Sequence, residues 1–263
     1  MHLVERRPRY LLAVLVLALA AVTPRDAEAQ RSRRQTVGDW PQHSTERQRP
    51  AVVDPGPYVG PAPAPSDAII LFDGGDLSAW SADRGGDAGW RIVGDAMEVV
   101  PGTGGISTRQ SFGDVQLHVE FMSPDPSTVG EGQNRGNSGV FLMGRYEVQV
   151  LDSYRADTYP DGQAGALYGQ FPPLVNPARA PGEWNVYDIV FRAPRFLADG
   201  ALDEPARFTV FMNGVLIHDD QPLVGPTSHG RRAPYEAHAA RLPIGLQDHE
   251  HAVRFRNIWV REL

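Results

Sequence analysis

From Asp67 to the C-terminus, apolar and polar residues alternate with a period of two, and turn-forming residues keep interrupting the alternation. This pattern constrains the fold most, because a half-buried strand sends successive side chains to opposite faces of its sheet. In Val115-Gln116-Leu117-His118-Val119-Glu120-Phe121 every odd position is apolar and every even one polar. Asn213-Gly214 separates Phe208–Met212 from Val215–His218 and predicts a type I′ hairpin, whose two central residues need positive φ. Gly94-Asp95 predicts another hairpin, between Trp90–Val93 and Ala96–Val100. Further strands are expected at Gly139–Met143, Tyr146–Leu151, Trp184–Arg192 and Val253–Arg261. No stretch carries a long 3.6-residue apolar period with helix caps. With 27 glycines and 23 prolines in 263 residues, the chain suits turns rather than helices. At least eight strands without internal repeats predict one all-β domain, a two-sheet antiparallel jelly-roll sandwich over residues 67–263.

The region before the sandwich reads differently. Arg6, Arg7 and Arg9 precede an apolar run from Leu11 to Val22, and Ala27-Glu28-Ala29 offers a signal-peptidase site. Twelve apolar residues are too few to span a bilayer, which takes about 20. Residues 1–29 are therefore expected to be a cleaved export signal, leaving no stable membrane span and a periplasmic or secreted protein. Residues 30–66 are rich in Arg, Gln, Ser and Pro without an apolar period, and are expected to form a disordered, solvated linker. Between Ser153 and Glu183 lies a long Gly/Pro-rich segment bearing Tyr154, Tyr159, Tyr168 and Phe171, which favours an ordered lid.

Composition narrows the chemistry. The chain has no cysteine and no lysine, so all 25 basic side chains are arginines. That excludes thiolate chemistry, Cys-ligated zinc, iron–sulfur clusters, a PLP Schiff base and a Walker-type nucleotide loop. The net charge of −7 argues against nucleic acid as a partner. Carboxylates, His, Arg, amides, hydroxyls or an oxygen- and imidazole-bound metal remain.

Two blocks gather such groups. In the first, Arg135-Gly136-Asn137-Ser138 leads into Arg145-Tyr146-Glu147-Val148-Gln149, where Glu147 and Gln149 share one strand face. Asp152 would join that face only through a bulge. With His118 and Glu120 alongside, these residues would line a polar concave surface of the kind that binds sugars. The plainer alternatives are a solvated strand face and turn-forming roles for Asn137 and Ser138. The second block, Gln247-Asp248-His249-Glu250-His251, could ligate a divalent cation or supply a general base, His249 ahead of His251. Arg254 and Arg256 share a face of the last strand, where they would either pair with acidic neighbours or hold a substrate oxyanion. His229, Arg231, Arg232, Glu236 and His238 read as a solvated loop.

These blocks together resemble the domain of unknown function 1080 family, also described as the 3-keto-disaccharide hydrolase domain. The resemblance runs from Ile70-Leu71-Phe72-Asp73-Gly74 through Phe112-Gly113-Asp114, Gly136-Asn137-Ser138-Gly139-Val140 and Tyr146 to Asp152. It continues through Tyr168-Gly169, Gly182-Glu183-Trp184-Asn185, Asn213-Gly214, Leu246-Gln247-Asp248-His249 and Phe255-Arg256-Asn257-Ile258-Trp259. It implies a concanavalin A-like or laminin G-like sandwich acting on glycosides oxidised at C3. A C3 ketone acidifies the C2 proton, so a base can expel the C1 substituent by β-elimination and water can then add, for net hydrolysis. Under this resemblance Glu147, His249 and Arg135 are the expected catalytic residues, with Glu147 and His249 also expected to ligate any divalent cation. Glu120, Asn137, Gln149, Asp152, Tyr168, Asp248 and Arg256 are the expected sugar contacts. The family usually continues Asp-His with Gly-Asn-Pro, where this chain has Glu250-His251-Ala252, so a left-handed backbone there would strain Glu250. A two-carboxylate glycanase of the same fold and a non-catalytic carbohydrate-binding module are the competing expectations.

Overall fold

A computed structural model describes residues 36, 37 and 40–263. The expected export signal, residues 1–29, lies outside the described residues. Among the described residues no helix is long and apolar enough to cross a membrane.

The architecture is the expected all-β jelly-roll sandwich. One sheet has five strands in the order Tyr146–Val150, Ser138–Leu142, Leu242–Leu246, Ile106–Phe112 and Trp80–Ala82. The other has eight: Val215–Pro222, Arg207–Met212, Asn185–Arg192, Val115–Met122, Arg254–Glu262, Ala96–Glu98 and Arg91–Val93, with Ile69–Phe72 pairing onto Arg254–Glu262. All pairings within the two sheets are antiparallel. Both predicted hairpins form: Asn213 and Gly214 take φ of 54° and 79°, as a type I′ turn requires, and Val93 pairs with Ala96 around Gly94.

The inward faces of the two sheets meet in a core built from Trp80, Phe112, Tyr146 and Val148 on one side and Phe121, Tyr187, Phe191, Phe208 and Phe255 on the other, all fully buried. Each such side chain contributes about 1.5–3 kcal/mol through burial, which is why the period-two pattern dictates the fold. Tyr187 is buried at no polar cost, because its hydroxyl donates to the Gln149 carbonyl at 2.7 Å.

The expectation of a solvated linker over residues 30–66 is corrected for residues 40–66, which lie on the sandwich as an arm. Ala51–Val52 pairs in parallel with Val175–Asn176. The Tyr58 hydroxyl donates to Glu120 Oε2 at 2.8 Å, and the carbonyls of Gly56 and Ala62 accept from Arg179 and Asn257 at 2.5 and 2.9 Å. The arm docks through isolated anchors rather than an apolar stripe, so no periodicity announced it. Its proline-rich backbone is already extended and loses little entropy on docking.

Candidate active site

The strand Tyr146–Val150 forms one edge of the five-stranded sheet, and its register sets Glu147 opposite Phe141 and Gln149 opposite Gly139. Tyr146, Val148 and Val150 enter the core, so Glu147 and Gln149 share the other face, as the alternation predicts. They are nonetheless buried, at 4 % and 1 % exposure, because other segments fold over them. An edge strand offers unpaired backbone groups, and residues 165–168 take them up. The Gln149 N–H donates to the Ala166 carbonyl and the Gly165 N–H to the Gln149 carbonyl, both at 2.9 Å. The Glu147 N–H donates to Thr227 Oγ1 at 3.0 Å. These bonds seat Tyr168 and the loop at Thr227 beside the two side chains. The long segment after Ser153 is thus the ordered cover expected from its aromatic content.

Between these parts is a cavity of about 280 Å³, suited in size to one sugar ring. Its walls are Asn137, Phe141, Glu147 and Gln149 from the sheet, Tyr168 from the cover, Thr227, Ser228 and His229 from a loop, and Gln247 and His249 from the turn before the last strand. A larger groove of about 720 Å³ lies between the arm and residues 153–155 and 178–180, but neither Glu147 nor His249 lines it.

Glu147 dominates the electrostatics. Its carboxylate has no hydrogen bond or ion pair among the described residues, and burial pushes its pKa up to about 8. Gly139 makes its position possible, since a Cβ there would lie 2.5 Å from Glu147 Oε1 and 2.8 Å from Phe141 Cε2. Beside it, Gln149 Nε2 donates to Asn137 Oδ1 at 3.2 Å, and Asn137 Nδ2 donates to the Gln133 carbonyl at 2.9 Å. Gln149 Oε1 and Gln247 Oε1 are buried without a donor among the described residues, so both retain acceptor capacity for a hydroxyl. The Tyr168 hydroxyl lies 3.1 Å from His229 Nδ1 and 3.0 Å from the Tyr159 hydroxyl; burial, opposed by the bond to Tyr159, raises its pKa and keeps it a neutral donor.

Of the expected site residues, Glu147, Asn137, Gln149, Tyr168 and His249 come together in this cavity. The others do not. Arg135 is corrected: its guanidinium is paired with Asp152 and does not line the cavity. Asp152 is corrected with it, because the strand ends at Val150 with no bulge, and the Asp152 carboxylate accepts from the Tyr154 N–H at 3.0 Å. Asp248 accepts from the Glu250 N–H within its own turn and from the Gly104 N–H of the loop before Ile106–Phe112, each at 2.9 Å. Glu120 and Arg256 are on the eight-stranded sheet, not alongside Glu147. There Arg256 Nε donates to Glu120 Oε2 at 2.8 Å, the pairing alternative for that arginine. Phe141, Thr227, Ser228, His229 and Gln247 were not anticipated as site residues. Phe141 adjoins a motif and Gln247 stands within one, although neither was given a role, whereas the loop bearing His229, expected to be solvated, carries no periodic or spacing signal.

As a metal site the donor set falls short. Among the described residues, no group of three His, Cys, Asp or Glu gathers that could hold an ion. Among the described residues Glu147 is also the one carboxylate lining the cavity, so they do not assemble the two-carboxylate arrangement of ordinary glycosidases.

A β-sandwich with a polar cavity one sugar ring wide, walled by amides and aromatics, defines a carbohydrate-active domain. Residues 67–261 match the family described as the 3-keto-alpha-glucoside-1,2-lyase-like domain, and the chain belongs to that family. A crystal structure of a protein from Parabacteroides distasonis ATCC 8503, provisionally named a glycosyl hydrolase, is 46 % identical over 76 % of this chain and 85 % of its own, with a TM-score of 0.73. A second protein of the same organism and provisional name is 19 % identical over 75 % of this chain and 94 % of its own, with a TM-score of 0.52, and shares the fold. No curated protein matches the chain. The domain is therefore a glycosyl hydrolase-like carbohydrate-active module.

Proposed function

We propose that the domain cleaves 3-keto-glycosides by elimination across C1 and C2. The observation that carries this reading is Glu147, a buried carboxyl with no partner among the described residues, facing a cavity it shares with His249. A carboxyl with a pKa near 8 is a far stronger base than a solvated one once ionised, and it titrates close to working pH.

Glu147 takes the C2 proton, which the C3 ketone has acidified. The electrons of the C2–H bond form the enolate and then the C1–C2 double bond, and the C1–O bond breaks. His249 gives a proton to the departing oxygen. The Tyr168 hydroxyl donates to the C3 oxygen while it carries enolate charge. Gln149, Asn137 and Gln247 orient ring hydroxyls. The products are an unsaturated 3-keto sugar and the free aglycone, and addition of water to the former completes a net hydrolysis. The export signal read in residues 1–29 would put this reaction in the periplasm or outside the cell.

The test is the folded Glu147→Gln variant assayed on a 3-keto-glucoside, with mass detection of the unsaturated sugar and released aglycone. Turnover is expected to fall by about 10²–10⁴-fold. Turnover within about threefold of the parent removes Glu147 from the reaction. A parent protein that binds such sugars but cleaves none is a binding module instead.

A further inference from the structure

We propose that the arm ahead of the sandwich forms part of the active-site wall, with His43 as a positioning residue for Tyr168 and His229. The His43 ring stacks on Tyr159 at 4.3 Å between centroids, and lies 5.3 Å from Tyr168 and 5.1 Å from His229. Tyr159 touches Tyr168 hydroxyl to hydroxyl, and Tyr168 touches His229. Four rings thus form one cluster, of which two line the cavity and two stand behind it.

The arm is fixed to this cluster by its own bonds. The His43 N–H donates to Oδ2 of the fully buried Asp161 at 3.0 Å. Gln42 Nε2 donates to the carbonyl of Ser228, another cavity residue, at 2.7 Å, and Gln42 fills the space that a side chain at position 169 would need. Arg47 Nη1 donates to the Gln170 carbonyl at 3.1 Å. His43 holds a φ of 63°, a conformation that L residues adopt only when their surroundings impose it. No residue of the arm belongs to the hydrophobic core, and its segment from Gln42 to Arg47 makes its hydrogen bonds to the wall and the residues behind it. The arm also precedes residue 67, where the family match begins.

The consequence for turnover rests on the activity proposed above. The test uses the full chain with His43→Ala, His43→Phe and Gln42→Ala, read by steady-state kinetics on a 3-keto-glucoside and by hydrogen exchange across residues 227–230. His43→Ala is expected to lower kcat by about tenfold or more, through misplacement of Tyr168, with thermal stability retained. His43→Phe, which restores the ring stack, should return kcat to within about threefold of the parent, and exchange at 227–230 should quicken only in the alanine variants. Parental kcat, KM and exchange in both alanine variants would overturn the proposal. If the parent cleaves no 3-keto-glycoside, the activity reading falls by itself. Exchange then decides the arm: faster exchange in the alanine variants upholds the wall, and unchanged exchange overturns it.

Discussion

The Glu147 carboxyl lies beside Gly139 with no donor among the described residues, so ionising it costs more in the fold than in the unfolded chain. Its pKa rises from 4.5 to about 8. Stability tied to this group is therefore complete below about pH 4.5 and is lost as pH rises through about 8. The Glu147→Gln variant escapes that loss: in urea unfolding it should match the parent at pH 4 and exceed it at pH 8, by on the order of 2–4 kcal/mol. Equal stability of the two proteins at pH 8 would show that the carboxyl is better solvated than its burial indicates. Glu250 is a second strained residue. It holds φ at 64°, the left-handed conformation expected where the family usually has glycine. Glu250→Gly should therefore raise stability by about 0.5–1 kcal/mol, seen as a higher Tm, with its N–H bond to Asp248 kept.

At the scale of elements, the paired strands Ser138–Leu142 and Tyr146–Val150 work as one device, the first leaving out the side chain that the second needs room for. A methyl group at position 139 would meet the Glu147 carboxylate and the Phe141 ring before anything else. Gly139→Ala is expected to cost at least about tenfold in kcat/KM, since the Glu147 carboxylate, the base of the proposed reaction, would have to move. The loss in stability should stay near 1–3 kcal/mol, because the strain falls on side chains rather than on the ladder. Kinetics and thermal melts on the same preparation check both figures, and parental kinetics would mean that Glu147 shifts without consequence. This pair also shows what a sequence can reveal. Alternation along Tyr146–Val150 is local, so the shared face of Glu147 and Gln149 could be read directly. Alternation also fixed the faces of Val115–Phe121, but it carries no information on which sheet a strand joins. The rows of Glu120 and Glu147 therefore looked like neighbours, although pairing over long sequence separations puts them in different sheets. The loop at Thr227–His229 is placed by single bonds such as Glu147 N–H to Thr227, and leaves no pattern at all.

Across the whole molecule, the two sheets divide the work between chemistry and cohesion. The five-stranded sheet keeps a carboxyl unpaired, whereas the eight-stranded sheet pairs its buried charges and uses them to hold the arm. Glu120 is fully buried and accepts from Tyr58, from Arg256 and, at 3.0 Å, from Asn257, with His118 Nε2 3.7 Å away. His118 Nδ1 lies 2.7 Å from Asp188, and its ring stacks on Trp259 at 5.0 Å. Arg256 also lies 3.9 Å from the Trp184 ring, so this cluster joins the arm, three strands and the last loop before Asn185. Burial opposes charge on both His118 and Glu120, but the hydrogen bonds outweigh it, bringing His118 up to about 9 and Glu120 down to about 2. The signs differ. The Glu120 contribution is complete above about 4.5 and is lost as pH falls through about 2. The His118 contribution is complete below about 6.5 and is lost as pH rises through about 9. Both act fully only between about pH 4.5 and 6.5, where the unfolding free energy should peak once Glu147 is replaced by Gln. Urea titrations from pH 4 to 9.5 on the Glu147→Gln background, which removes the Glu147 carboxyl from the same range, isolate the His118 limb. Adding His118→Asn should lower stability at pH 6 and flatten the decline between about 6.5 and 9. An undiminished decline would mean that His118 is not held charged in the fold.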